Sequence, residues 1–377
     1  MKKFIKAFIP HGIVKLKSEY SLKIILNFLR KNIEYFNEIR ENSVLLVETR
    51  PTHGEVLPSF AKYLLDLGYN VDIVFNNGGK KRWHQSRNDK GLFSAFSREE
   101  RLRVKPLPPE DINLLLRKPI VMNYKHIILS TFSDSMLKRA LYKVDLFRLK
   151  PVCVIHNPDV FHDYINTDKK ISIAKMELVN RSSPFVVNAN YFGEFDKKEK
   201  NTKTTFFTLN SRNLDFRNLH LLFSACDKLY ETGITDFVVK IVGNGISVPE
   251  RFSDNFQTLG FLEFEEMYKE ILKSDFILSL IDQASIRYTN KASGTSGLSY
   301  GFLKPVVLHC KFSAPSEFND KNSVQYCDNN ALATAMERCV NMSKDDYSLM
   351  VKELEVSKDE LYKRSLKNLK QALEVEI

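Results

Sequence analysis

The chain has 377 residues, 43% hydrophobic and 11% aromatic, which is enough for two domains with separate cores. Its net charge of +10 favours nucleic acid, an anionic membrane or a phosphorylated small molecule as partner, but no zinc-finger, RNA-recognition or KH pattern supports nucleic acid. The five cysteines are scattered without CxxC spacing, which argues against a disulfide framework or a zinc site and for a reducing compartment.

Residues 1–42 form a basic amphipathic N-terminal segment in which lysines alternate with aromatic and aliphatic residues. Its first apolar stretch is short and broken by lysines, so we expect no signal peptide, and no apolar run reaches transmembrane length. The pattern suits a segment in the interface of an anionic bilayer, although a surface helix that covers part of the core has a similar composition. We predict a cytoplasmic protein, peripheral on the inner face of the plasma membrane, with this segment against the anionic inner-membrane surface.

Alternating strand and helix patterns begin after this segment. Apolar runs at 43–48 and 70–75 flank a helical pattern that ends at Gly68, which indicates a βαβ unit with glycine at the C-cap position. A basic, loop-like stretch over 76–105 follows and contains the only tryptophan, Trp83. Further strand patterns lie at 126–129, 151–155 and 184–188. This order predicts a parallel sheet in a Rossmann-like N-terminal domain over residues 43–195.

The same rhythm restarts after the charged stretch 197–203, which we place near the domain linker. Strand patterns follow at 205–209, 237–242, 256–259, 276–281 and 306–308, and helical patterns at 219–230 and 263–273. We predict a second Rossmann-like domain over residues 204–345 and a helix over 346–377 that could pack back on the first domain. Two doubly wound α/β domains would face each other across a cleft, and ligands of such sheets bind at the carboxyl ends of the strands.

A run of small residues, Ser293, Gly294, Thr295 and Ser296, leads into an apolar segment with helical character. A helix start offers unpaired backbone N–H groups and the positive end of the helix dipole, and glycine lets an anion approach them. Pro305 then ends the helix before the next strand. The pattern predicts a phosphate-binding site, with an ordinary N-cap that holds no ligand as the alternative.

Two arginines flank the loop after the strand pattern at 205–209. Arg212 and Arg217 lie five residues apart there, just before a helical pattern. Because guanidinium groups form planar, paired hydrogen bonds with phosphate oxygens, these two could clamp a diphosphate. Two solvated loop arginines are the alternative.

From this loop onward the chain resembles the C-terminal half of GT-B-fold glycosyltransferases of family 4, the type that acts in bacterial surface polysaccharide and lipopolysaccharide synthesis. Residues 211–218 match its Gly-Arg-Leu-x-x-x-Lys-Asn pattern in spacing, with serine for glycine and arginine for lysine. Residues 242–245 match its Val-Gly-x-Gly turn, and 259–261 match its Leu-Gly-Phe turn by the nucleotide base. The resemblance covers about residues 205–320 and implies donor-binding roles for Arg212, Arg217, Gly243, Gly260, Phe261, Ser293, Gly294, Thr295 and Ser296.

The N-terminal half resembles the family more loosely and would be its acceptor domain. Residues 52–58 look like the family's His-Gly opening, and 154–159 look like its mid-domain loop, whose histidine lies by the transferred sugar. The resemblance implies catalytic-side roles for His53, Glu55 and His156. A histidine at the end of a strand can also be purely structural.

The chain departs from the family at two positions. Retaining members carry two glutamates around the phosphate loop, and counting back from Pro305 those positions hold Asn290 and Leu298. The loop is therefore built differently, the stereochemistry differs, or the protein is an inactive relative. We see no Asp-x-Asp motif, so the resemblance implies a metal-independent reaction in which arginines and the helix dipole stabilise the leaving diphosphate.

The sequence thus predicts a hexosyltransferase-type glycosyltransferase that uses a nucleotide sugar, with a UDP-sugar favoured, as co-substrate and needs no further cofactor. The acceptor would be a glycan or a lipid-linked intermediate of cell-surface polysaccharide synthesis. The alternative is a catalytically inactive GT-B relative that binds nucleotide sugars or acts as a partner subunit. A dehydrogenase is rejected, because Gly243-x-Gly245 lacks the third glycine of a dinucleotide-binding turn.

Overall fold

The computed structural model describes residues 36, 38–50, 54–76, 91–131, 141, 144–156, 170–172, 185–196, 198–210, 218–284 and 293–374. Within these ranges the chain forms two parallel β-sheets covered by helices. The strands of the first sheet are β1 (Ser43–Glu48), β2 (Asn70–Asn76), β3 (Leu102–Leu107), β4 (His126–Leu129), β5 (Val152–Ile155), β6 (Lys170–Ser172) and β7 (Phe185–Val186). Their order is β3-β2-β1-β4-β5-β6-β7, and the connecting helices are α1 (Leu57–Asp66), α2 (Pro109–Leu116) and α3 (Leu146–Leu149).

The second sheet has the order β10-β9-β8-β11-β12-β13 over the described part of the chain. Its strands are β8 (Thr204–Leu209), β9 (Phe237–Val242), β10 (Phe256–Gly260), β11 (Phe276–Ser279), β12 (Val306–His309) and β13 (Ser323–Tyr326). The helices are α4 (Leu219–Glu231), α5 (Phe264–Leu272), α6 (Gly294–Phe302), α7 (Leu332–Asn341) and α8 (Lys344–Glu374).

Both sheets reverse their strand order beside the first strand. In the first sheet β1 lies between β2 and β4, and in the second β8 lies between β9 and β11. Such a reversal separates the loops at the carboxyl ends of the two central strands and leaves a crevice there for ligands. The prediction of two doubly wound α/β domains is confirmed.

Strand β3 lies in a region where the sequence predicted only a loop. The strand lies at the edge of the sheet, and its apolar residues alternate with basic ones. Its proline has no N–H group to donate, which an edge strand tolerates because one of its sides has no neighbouring strand. A buried carboxylate also anchors it: Asp72 on β2 accepts hydrogen bonds from Arg103 Nε (2.7 Å) and Arg40 Nη2 (2.7 Å). The Tyr124 hydroxyl also donates to Asp72, at 2.7 Å. This ion-pair cluster is fixed by long-range partners, which local pattern does not reveal.

Helix α8 contributes side chains to the hydrophobic cores of both domains. Its first part buries Tyr347 and Leu354 against the C-terminal domain, and its last part buries Leu369 and Leu373 among the residues that pack under β1 and β2. At about 1.5 Å per residue its 31 residues extend over about 46 Å, enough to cross from one domain to the other.

The connection between the sheets is held closely against α6. A Cβ atom on Gly297 would lie 2.5 Å from the carbonyl oxygen of Ala189, and one on Gly301 would overlap the Phe192 ring. On the other side Ser59 on α1 accepts from the Tyr191 N–H at 2.8 Å. Two glycines one turn apart therefore let the linking backbone lie directly on α6.

Cys310 and Cys327 form a disulfide, a pairing that the cysteine spacing did not predict. They follow β12 and β13, whose last residues are aligned in register, so the two Cα atoms are 5.1 Å apart. This is a single cross-link between neighbouring strands and not a framework. Across the part of the chain that the structure describes, no helix combines the length and the apolar character needed to cross a bilayer.

Candidate functional site

Glycines allow the carboxyl ends of β8, β9 and β10 to lie close together. The Gly243 N–H after β9 donates to the Gly260 carbonyl at the end of β10, at 2.7 Å. Gly243 has φ +143°, and a Cβ atom there would lie 2.6 Å from the carbonyl oxygen of Asn210, which follows β8. A side chain at this position would push the strand ends apart. The structure thus brings together Gly243 and Gly260, which the sequence assigned to the donor site.

Phe261 directly follows this glycine junction. Its side chain is 52% exposed, whereas most large apolar side chains of the domain are buried. Gly260, with φ +64°, turns the backbone at the end of β10, so that β10 stops before Phe261. An exposed aromatic ring beside the carboxyl end of a strand offers a flat surface for stacking.

The helix start predicted at Ser293 is present as an N-capped α6. Ser293 Oγ accepts from the Thr295 N–H at 3.3 Å, and the Ser293 carbonyl accepts from the Ser296 N–H at 2.9 Å. Gly294 has open space where a Cβ would stand. The side chain of Ser296 is itself held, because its hydroxyl accepts from Ser316 Oγ at 3.0 Å. The first turn of α6 therefore combines a serine cap with a glycine that leaves its backbone approachable.

Asp282 and Asn218, which sequence reasoning did not select, tie β11 to α4. The Asp282 carboxylate accepts from Asn218 Nδ2 at 3.0 Å and from the Ala284 N–H at 2.8 Å. Asn218 in turn caps α4 by accepting from the Leu221 N–H at 2.9 Å. The available signals were a polar residue directly after an apolar strand run for Asp282 and a capping-type residue directly before a helical pattern for Asn218. Their hydrogen bond joins the end of β11 to the start of α4, beside the reversal of strand order between β8 and β11.

A second polar cluster lies at the carboxyl ends of β1, β4 and β5. His156, which follows β5, is buried with its Nε2 atom 2.7 Å from the Ser130 carbonyl and 3.2 Å from Thr131 Oγ1. Thr131 Oγ1 lies 2.5 Å and Ser130 Oγ lies 2.8 Å from Glu48 Oε2. The Arg50 N–H donates to Glu48 Oε1 at 2.6 Å. The sequence selected His156 but missed its three polar neighbours.

The other predicted site residues have separate positions. Glu55 lies in the short 3-10 turn Gly54–Val56, just before α1. His53, Arg212, Arg217 and Asn290 lie outside the described residues. Leu298, at the position of the second family glutamate, is buried in α6 and packs into the core beside β12. The side chain at this position therefore packs in the core, which agrees with the replacement of the family's glutamate by leucine in the sequence.

Among the residues that the structure describes, no three His, Cys, Asp or Glu side chains are grouped to hold a metal ion. The expectation of a metal-independent reaction stays a prediction, as does the absence of any further cofactor.

Solved structures share this fold at low sequence identity. An alpha-glucosyltransferase in complex with UDP and a 13-mer DNA has a TM-score of 0.51 and 14% identity, with 88% of this chain and 99% of that chain covered. The α,α-trehalose 6-phosphate synthase of Burkholderia multivorans also has a TM-score of 0.51, with 11% identity and coverage of 89% and 98%. No family model matches the sequence, and no curated protein does. The chain therefore has the two-domain GT-B fold of such enzymes.

Proposed function

We propose that this protein is a glycosyltransferase that moves a sugar from a nucleotide sugar to a hydroxyl-bearing acceptor. The observation that carries the proposal is the carboxyl edge of the second sheet. This edge of a GT-B fold carries the Gly243–Gly260 junction, exposed Phe261 and the N-capped α6. A ring for stacking on a base and a helix start for a phosphate suit a nucleoside diphosphate. The solved glucosyltransferase with the same fold was crystallised with UDP, which supports a UDP-sugar as donor.

The finer proposal is a hexosyl transfer, without metal, onto a glycan or lipid-linked acceptor in surface polysaccharide or lipopolysaccharide synthesis. Its support is the resemblance of residues 205–320 to family 4. In this proposal Arg212 and Arg217 and the α6 dipole stabilise the departing diphosphate, and the protein mainly positions the reactants. The first domain, which carries His156, would hold the acceptor.

Calorimetric titration with UDP, GDP and their glucose and mannose derivatives tests the donor site. We expect one nucleotide to bind, and R212A and R217A each to weaken its binding at least about tenfold, because each loses charged hydrogen bonds. The control is R251A, since Arg251 in the same domain is exposed and forms a surface ion pair with Asp227 at 2.7 Å. Binding unchanged in both loop variants, or absent from the wild type, would contradict the proposal.

A nucleotide-binding protein without turnover is the second candidate. Its support is that buried Leu298 occupies the position of a family glutamate. Release of nucleoside diphosphate in the presence of cell-wall glycan extracts separates the two: tight donor binding without release would support the inactive relative.

We also propose that the basic segment 1–42 attaches the protein to the cytoplasmic face of an anionic membrane. Residues 1–35 and 37 of this segment lie outside the described residues, and the composition of the segment is the support. Co-sedimentation with vesicles of phosphatidylcholine alone or with 30% phosphatidylglycerol tests it. We expect binding to the anionic vesicles only, and loss of that binding when Lys2, Lys3 and Lys6 are replaced by glutamate. Equal binding by this variant would contradict the proposal.

A further inference from the structure

All five cysteines lie in the part of the chain that the structure describes, and the two with solvent exposure are bonded to each other. Cys153, Cys226 and Cys339 are buried free thiols, whereas Cys327 is exposed and Cys310 is partly exposed. Exchange between a thiol and a disulfide needs access to a sulfur atom. The Cys310–Cys327 bond is therefore open to dissolved thiols, and burial shields the other three cysteines.

The position of the pair lets the bond break and form again without a change in the sheet. Cys310 and Cys327 directly follow β12 and β13, whose parallel register keeps their Cα atoms 5.1 Å apart, within the range that a disulfide spans. In a reducing compartment such bonds are usually transient and redox-sensing. The proposed place of the protein, at the cytoplasmic face of a membrane, is such a compartment.

The loop that begins at Cys310 contacts the first turn of α6. This β12 loop comprises residues 310–316, and at its end Ser316 Oγ donates to Ser296 Oγ at 3.0 Å. The Tyr300 hydroxyl on α6 donates to the Ser316 carbonyl at 2.9 Å and holds the same end of the loop on the helix. The β12 loop thus connects the cysteine pair to the helix start for which phosphate binding is proposed.

The β12 loop also contacts the loop after β11. Lys311 Nζ donates to the Gln283 carbonyl at 2.7 Å, and Asp282, one residue earlier, accepts from Asn218 Nδ2 at the start of α4. These bonds lie at the carboxyl ends of β11 and β8, where the strand order reverses and ligands of such sheets bind. A shift at the start of the β12 loop therefore affects polar contacts on both sides of this crevice.

We propose that Cys310 and Cys327 are a reversible redox pair that controls how tightly the second domain binds a nucleoside diphosphate. This inference rests on the proposed function. In the oxidised form the bond fixes the start of the β12 loop to the end of β13, so the loop is ordered before the ligand arrives. In the reduced form the two thiols stand at non-bonded distance, and ordering the loop uses part of the binding free energy.

The exchange is a two-electron step with a dithiol as the reductant. A thiolate of the dithiol attacks the sulfur of Cys327, the S–S bond breaks, and its electron pair leaves with the sulfur of Cys310, which takes up a proton. The second thiol of the reductant loses its proton and attacks the mixed disulfide, and the sulfur of Cys327 leaves and is protonated. The reductant ends as a disulfide, and the protein carries two thiols.

Thiol labelling of the full chain tests the redox pair without any ligand. The protein is equilibrated in buffers that run from reduced to oxidised glutathione, alkylated, and mapped by peptide mass spectrometry. We expect Cys310 and Cys327 to be labelled together in reduced glutathione and protected together in oxidised glutathione, while buried Cys226 stays unlabelled. A pair that stays oxidised in reduced glutathione is a permanent structural cross-link, and a pair that is never protected forms no bond. Either result overturns the inference.

Hydrogen–deuterium exchange and calorimetric titration with UDP and GDP test the coupling to the donor site. Reduction with dithiothreitol should speed amide exchange in the β12 loop and in the first turn of α6, and should weaken nucleotide binding at least about threefold. C327S should behave like the reduced wild type and should not respond to dithiothreitol. C226A is the matched control, because it removes a buried thiol of the same domain, keeps the pair, and should respond as the wild type does.

Amide exchange at the start of α6 that is identical in the two redox states overturns the inference, and so does a nucleotide affinity that is the same in both. If neither nucleotide binds the oxidised or the reduced protein, the proposed function is contradicted. The exchange measurement then still decides whether the cysteine pair controls the start of α6.

Discussion

Lys304 places an amine in the interior of the C-terminal domain, directly after α6. Its side chain is only 3% exposed. Burial lowers the pKa of Lys304 from its ordinary value of 10.5 to about 8, and the Asp275 carboxylate opposes this change only in part. The interval between these two values corresponds to about 3 kcal/mol by which the charged lysine destabilises the folded state.

Replacing Lys304 by methionine keeps the length and the apolar stem but removes the amine. We expect K304M to be more stable than the wild type at pH 7 by up to about 3 kcal/mol. Because the folded pKa is lowered, the unfolded chain binds more protons between pH 8 and 10.5, so wild-type stability rises through this window. The advantage of K304M should therefore shrink as the pH rises from 8 to 10.5.

Urea unfolding of both proteins from pH 7 to pH 10.5 measures this difference. K321M is the matched control, since it removes a lysine of the same domain whose side chain is exposed. A K304M protein that is less stable at pH 7, or an advantage that stays constant up to pH 10.5, would refute the reasoning.

Three further predictions concern the fold. G297A should lower stability by about 1–3 kcal/mol in thermal unfolding because its methyl group meets a backbone carbonyl, whereas G294A on the same helix has open space and should lose less than half as much. D72N should cost about 3–5 kcal/mol in urea unfolding because two partly buried arginines lose the buried carboxylate that they bind, and a loss below 1 kcal/mol would contradict this. K150G should raise stability by about 0.5–1 kcal/mol, since Lys150 has φ +44°, while K150A should give no such gain.

The sequence predicted the elements whose signals are local. Apolar strand runs alternating with helical patterns gave the two doubly wound domains, and the small residues at 293–296 gave the N-capped start of α6. The cluster around Glu48 was not predictable in this way, because Glu48 and Thr131 are 83 residues apart and meet only when β1 and β4 pair. A glutamate at the end of one apolar run is unremarkable until its neighbours are known.

The Cys310–Cys327 pair shows the same limit. Its two members are separated by 17 residues without any spacing motif, and the register between β12 and β13 alone brings them together. Edge strand β3 was missed because basic residues and a proline interrupt its apolar pattern, and its anchor is a carboxylate 31 residues earlier.

The path of α8 has a consequence for how the protein is made on the ribosome. The N-terminal domain is synthesised first, yet its core also contains Leu369 and Leu373, which are synthesised only after the whole second sheet. Until then its apolar surface stays open to solvent and to chaperones. Synthesis of α8, and not of the first sheet alone, is therefore the moment at which the N-terminal domain can close its interior.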